Sequence, residues 1–342
     1  MTLRFIILIS TIQFFIFHDS VNATSPDETT LDRMIVNSLQ EHWVVAIGEN
    51  HGHLALHNKI IESLAKPQVG LIVDDIVVEF GNSLYQSVID KYIDGEDISY
   101  SLVQPAFRNT VVSPNTVWDS PIYADFFKKI RNLNQTRQDG RKYRVVLGDT
   151  AVDWSLVKSR KDLIPFYNRS KSIYEKVKTE VLKKGRRAIL VAGGAHLTRR
   201  NMTHKNKHGV TWAEVSVVSR LELFYPNAVF VIRSLGKGRG LDHQKFVDTS
   251  LGSILLTKDP RVANVSANAM STMKNMDGTP FDAYGDATLS DIVDAVIYWG
   301  AETVEQFVEP TNEVYLDDDY WNELNRRSIL LRKKAMDPSL RE

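Results

Sequence analysis

The sequence predicts an α/β fold: a largely parallel central sheet flanked by helices, with helical insertions forming a cap over the C-terminal strand ends. Three observations carry this. Short β-branched runs bounded by Gly, Asp or Ser recur along the chain, helix-length segments separate them, and two of the separations are too long to be simple crossovers. Strands buried on both faces read as continuous apolar runs, and alternation with helices favours parallel pairing.

The strands read as "HWVVAIG" (42–48), "DIVVEF" (75–80), "YRVVLGD" (143–149), "RAILVAGG" (187–194), "AVFVIRS" (228–234) and a late "DAVIYWG" (294–300). Between them, "LALHNKIIESLAK" carries apolar residues at helical spacing, and "SIYEKVKTEVLKKG" ends in Lys-Lys-Gly, a helix stop signal. Residues 82–142 hold helical patterns around Leu84–Tyr92 and Tyr123–Leu133, and residues 150–186 hold another. Both excursions read as cap insertions, since long connections in compact domains are often functional lids. After Arg239 the pattern weakens and reads as loop. "YWNELNRRSILLRKKAM" (320–336) predicts a C-terminal amphipathic helix whose basic face meets solvent.

The N-terminus stands apart. Arg4 precedes an apolar run from Phe5 to Phe17, then a polar stretch with Val21-Asn22-Ala23. That is the pattern of a secretory signal peptide cleaved after Ala23, and the run is shorter than the roughly 20 residues of a membrane span. The expected organisation is a signal peptide over 1–23, a lead-in over 24–41, an α/β domain over 42–310 and a C-terminal helix over 311–342. The protein is expected to be exported, periplasmic or secreted, with no membrane span after cleavage. The 342 residues are 43% hydrophobic, enough for a substantial core without disulfides, and the chain has no Cys. Thiolate nucleophiles and thiolate metal sites are therefore excluded. Lys+Arg and Asp+Glu balance at 42 each, so no bulk charge points to nucleic acid.

The chemistry is positional. The predicted strands end in Gly48-Glu49-Asn50-His51, Glu79-Phe80-Gly81-Asn82, Gly148-Asp149-Thr150 and Gly193-Gly194-Ala195-His196. In open α/β sheets ligands bind beyond the carboxyl ends of the strands. Glu49, His51, Glu79, Asp149 and His196 are thus expected to converge. Imidazoles with carboxylates supply general acid–base pairs near neutral pH, and they also form an N/O ligand set for Zn²⁺, Mn²⁺ or Fe. His51, Glu79 and His196 are the candidate metal ligands, and Asn82, Arg108 and Trp154 the candidate substrate contacts. A single Gly-x-x-His is weak evidence; two of them, each directly after a strand, are much more specific. His57 lies six residues after His51, too far round a helix for a shared face, and reads as a helix-surface residue. His53 stays undecided. "SLGKGRG" (234–240) lacks the Lys-Ser/Thr ending of a P-loop and reads as a loop at the rim of the site.

The paired motifs "GENH" and "GGAH", with "VVEF" between them, resemble the erythromycin esterase / ChaN / Tiki superfamily, over about Val44 to Gly300. The resemblance implies a mixed α/β fold with inserted helices and a site made of Glu49, His51, Glu79 and His196. In the esterase branch the first-motif histidine is a general base on water. Tiki-like members are metal-dependent proteases, and ChaN-like members bind haem. The family also uses an arginine, for which Lys59 and Arg108 mark the candidate regions. The expected function is therefore an exported hydrolase acting on an ester or amide of a small-molecule or peptide substrate, metal-assisted or not. The alternative is a non-catalytic haem, iron or small-ligand binder.

Overall fold

The computed structural model describes residues 29–205, 211–235, 241–270, 282–300 and 307–342. The expected signal peptide and residues 236–240 of the Gly-rich segment lie outside the described residues. The strands are β1 (Val44–Glu49), β2 (Asp75–Asn82), β3 (Arg144–Asp149), β4 (Ala188–Gly193), β5 (Met202–Lys205), β6 (Thr211–Glu214), β7 (Val229–Leu235), β8 (Ile254–Leu256) and β9 (Ala295–Tyr298). Seven form one sheet in the order β3-β2-β4-β1-β7-β9-β8, and β5 and β6 form a separate hairpin. Every pairing in the large sheet is parallel except that of edge strand β8 with β9.

The period of two along each strand sorts the core into two layers. Val45 and Ile47 of β1, Val78 and Phe80 of β2, and Ile189 and Val191 of β4 face the helices Leu31–Glu41, Leu54–Leu64, Gln86–Asp94 and Pro121–Thr136. Val44 and Ala46, Val77, and Leu190 and Ala192 face the helices Arg169–Lys176 and Val217–Phe224. Arg169–Lys176 continues through a π turn and a 3₁₀ turn, and stops at Gly185 with φ 61°. The Lys-Lys-Gly ending marked that stop, because a left-handed residue there is least costly as glycine.

The insertions divide their labour. The two long helices within 82–142 pack on a sheet face. The strand ends are covered instead by the stretch around Val111 and by the segment from Val152 to Phe166, where Val111, Val152, Trp154, Val157 and Leu163 cluster with Leu330 and Leu331. The C-terminal helix, Asp318–Arg332, holds these covers; the basic residues on it and at its end divide, with Arg332, Lys333 and Lys334 exposed as expected and Arg326 and Arg327 turned inward. Arg327 is buried: it donates to Ser113 Oγ at 2.9 Å and Asn109 Oδ1 at 2.8 Å, pairs with Glu323 at 2.7 Å, and lies 4.5 Å over the Trp154 ring. Arg326 donates to the Trp154 carbonyl at 2.9 Å. Among the described residues no helix is long and apolar enough to cross a membrane.

Candidate active site at the carboxyl edge of the sheet

Parallel pairing brings the strand ends to one edge. Glu49 stands opposite Gly193 in the β1–β4 register, and Asn82 opposite Asp149 in β2–β3. The turn Gly194–His196 follows β4 directly.

One half of the site is built on Glu49. Its carboxylate is buried and is shared by two imidazoles: His51 Nδ1 lies 2.9 Å from one oxygen and His57 Nε2 lies 2.6 Å from the other. Tyr123 Oη also reaches Glu49, at 3.4 Å, and accepts the Gly52 amide at 2.9 Å. Burial alone would raise the Glu49 carboxyl, but the hydrogen bonds and charges of the two histidines outweigh it and hold the group below its usual range. Burial would lower His51; the hydrogen bond and charge of Glu49, with the charge of Glu79, prevail and raise it. An ionised carboxylate only accepts, so the bond to Glu49 places a proton on Nδ1 and leaves Nε2 of neutral His51 as a lone pair. The Trp118 ring closes against His51 edge-on at 4.6 Å, and Tyr123 against Trp118 at 4.8 Å.

The other half is built on Glu79, which is fully buried. It accepts the Gly193 amide, pairs with Arg169 Nη1 at 2.7 Å and faces His196 Nε2 at 3.2 Å. Burial pushes Glu79 up, yet the charges of Arg169, His196 and His51 carry it well below the ordinary value. Arg169 also donates Nε to Asp149 at 2.9 Å, so one guanidinium bridges two buried carboxylates. Asp149 is the less compensated of the pair, and burial leaves it raised. Ser170, next along the helix, meets His196 Nδ1 at 2.7 Å.

The halves meet at Gly193. A Cβ there would come within 2.8 Å of His51 Cε1 and 3.1 Å of both His51 Nε2 and Glu79 Oε2. The second glycine-rich motif therefore needs this glycine for close approach, beyond any turn geometry.

Glu49, His51 and Glu79 each offer a ligand atom, all within 4.8 Å of one another. This is not the expected metal set of His51, Glu79 and His196. Glu79 Oε1 and His51 Nε2 keep lone pairs that a divalent cation could use, whereas each oxygen of Glu49 already meets an imidazole. Glu79 also holds a peptide amide and a guanidinium. The fixed charge of Arg169 beside Glu79 opposes a second cation there. Tyr123, which touches Glu49, has its hydroxyl tied between Glu49 and the Gly52 amide, which leaves it unsuited to ligate haem iron.

Glu49, His51, Glu79, Asp149 and His196 come together as expected of strand ends. Asp149 accepts Nε of Arg169 and so orients that guanidinium. Three expected substrate contacts are committed elsewhere. The buried Asn82 donates to the carbonyls of Asn109 at 2.6 Å and Val152 at 2.8 Å, and accepts the Leu84 amide at 2.9 Å. Trp154 is buried and donates to the Thr110 carbonyl at 3.1 Å. Arg108 stacks 4.6 Å over Tyr320, with Asp119 at 3.9 Å. Neither Arg108 nor Lys59 supplies the site's arginine: Lys59 lines a surface groove with Arg33 and Ser253. Arg169 does, and no motif announced it. His57 is buried, not on a helix surface. His53 is also buried, edge-on to Trp299 at 4.8 Å, and its burial and the charge of His57 lower its imidazole to about 4.

No protein-family model matches the chain, and no curated protein matches it. Solved structures do. A Bacillus cereus protein is 11% identical with a TM-score of 0.52, over 80% of this chain and 92% of that one. A succinoglycan biosynthesis protein is 10% identical with a TM-score of 0.50, over 78% of this chain and 90% of its own. A mutant erythromycin esterase, EreC, in its open conformation is 12% identical with a TM-score of 0.47, over 80% and 94%. The first two show the fold, and an esterase of the family that the paired motifs resemble is among the structural neighbours.

Proposed function

We propose that the protein is an exported hydrolase in which His51 is the general base that activates water against an ester or amide carbonyl. The observation that carries this is the buried Glu49 carboxylate on His51 Nδ1 at 2.9 Å, with Nε2 turned to the Gly193–Glu79 edge. Water gives a proton to Nε2 as its oxygen adds to the carbonyl carbon. Arg169, held by Glu79 and Asp149, supplies positive charge and an N–H donor for the oxyanion. The tetrahedral intermediate collapses, and the His51 imidazolium returns the proton to the leaving group. The buried network makes this donor rigid before substrate arrives, which is where such sites gain their rate.

The purified protein is expected to hydrolyse at least one member of a panel of carboxylic esters, lactones and amides. That activity should survive dialysis against EDTA and 1,10-phenanthroline. Loss on chelation with recovery in Zn²⁺ or Mn²⁺ would contradict the direct, metal-free base.

The Glu49 contact also sets the pH dependence. Glu49 holds the His51 imidazole above its ordinary value against the pull of burial. In Glu49→Gln that support is gone and burial lowers the pKa, so the acid limb of the kcat/KM profile should move to lower pH. The plateau should fall as well, because the ring loses its orientation. A limb that stays in place belongs to another group.

A further inference from the structure

Ser170 is a nucleophilic side chain that the mechanism above does not use. Glu79 Oε1 lies 3.2 Å from His196 Nε2, and a carboxylate beside that nitrogen favours the tautomer protonated there. The other ring nitrogen, Nδ1, is 2.7 Å from Ser170 Oγ. In that tautomer Nδ1 is a lone pair, and the serine hydroxyl donates to it. A hydroxyl on an imidazole, with the imidazole on a buried carboxylate, is the arrangement that activates serine. A second observation points to a ligand. Arg169 Nη2, on the residue before Ser170, is a buried donor with no partner, in a group whose other two nitrogens are paired with Glu79 and Asp149. Ser170 and Arg169 stand in the first turn of the helix Arg169–Lys176, where unpaired amides add positive potential. Ser170 is 2% exposed, while the His196 and His51 side chains beside it in the site are 14% and 37% exposed.

We propose that Ser170 is an acyl-accepting nucleophile and that hydrolysis runs through an acyl-serine. The proposal rests on the hydrolytic reading, and in it the carbonyl met by the water that His51 activates is that of the acyl-serine, with Ser170 as the leaving group. Ser170 Oγ adds to the carbonyl carbon and its proton passes to His196 Nδ1. Arg169 Nη2 is the donor available to the oxyanion. The carbonyl carbon's bond to the leaving oxygen or nitrogen breaks, and that atom takes the proton from His196. Water, deprotonated by His51, then adds to the acyl-serine. The ester bond to Oγ breaks, and the proton held by His51 returns to Ser170. The sum is substrate plus water giving acid plus alcohol or amine.

The first two arms of the test need no known substrate. An alkyl fluorophosphonate incubated with the full chain should give a single adduct that maps to the peptide bearing Ser170 and is absent from Ser170→Ala. The chain has no cysteine, so Ser170→Cys introduces one thiol. With iodoacetamide at pH 6 this thiol should react about 30-fold faster than the same thiol combined with His196→Ala, since an ordinary thiol has a pKa near 8.5. Absence of the adduct together with an ordinary thiol overturns the proposal and leaves Ser170 as the anchor of His196. Wild-type ester hydrolysis by Ser170→Ala also overturns it, while water activation by His51 stands. An adduct in a protein whose hydrolysis ignores His51→Ala supports Ser170 and refutes the role given to His51.

Discussion

Hydrolysis by His51→Ala is expected to fall about 1,000-fold, within the range for loss of a positioned general base. The fold should survive. The His51 side chain is 37% exposed, and the Glu49 carboxylate keeps its 2.6 Å bond to His57. Circular dichroism and the urea midpoint should therefore stay near wild type while turnover disappears. The contrast with His57→Ala is informative. That residue is buried among Phe80, Tyr123 and Phe126, so its loss should lower stability as well as rate. Wild-type turnover in the His51 variant would remove that residue from the chemistry.

The largest effect on stability is expected at Arg169. In Arg169→Met, Glu79 and Asp149 lose their shared guanidinium while both remain buried. Breaking a buried pair from one side costs about 3–5 kcal/mol, because a charge is left uncompensated. Arg169→Lys should recover only part, since a point charge cannot repeat the two-armed bridge. The pH dependence has a definite sign. In wild type Glu79 is depressed, so its contribution is present above the unfolded value of roughly 4.5 and is lost as pH falls toward the folded pKa. Without Arg169 a main support of that depression goes, and burial pushes the carboxyl up. Both changes shrink the gap between variant and wild type in acid, so the penalty measured by urea unfolding should be larger at pH 8 than at pH 5. A penalty that grows toward acid would contradict the pairing.

The parts of the site that could be read in the sequence were those that strands deliver. Glu49, Glu79, Asp149 and the Gly-x-x-His pair sit at the ends of unbroken apolar runs, and parallel pairing takes such ends to one edge. Arg169 and Ser170 were hidden because a long excursion delivers them from the first turn of a helix. The signal that could have marked them is Asn168, which caps that helix by accepting the Lys171 amide at 3.0 Å. Helical spacing counted from His51 puts His57 on a different face, but that spacing does not apply here. The helix starts only at Leu54, and His51 lies in the preceding turn, so the two rings meet on one carboxylate. Asn82 and Trp154 drew attention as polar or aromatic residues near strand ends, yet such residues also satisfy the backbone of covering loops, and these do. Strand β8 has three residues, too few for an alternating pattern to show. On the C-terminal helix Arg327 departs from the solvated basic face, a departure the sequence hides because a solvated arginine and one stacked on Trp154 look alike in it.

The most direct measurement is the ¹⁵N titration of the His51 imidazole, assigned by comparison with His51→Ala. The expected result is the Nδ1–H tautomer in the neutral ring, with Nε2 as the titrating nitrogen, and a pKa above the ordinary 6.5 that drops in Glu49→Gln. A neutral ring protonated on Nε2, or a pKa that ignores Glu49, would contradict His51 as the base that activates water.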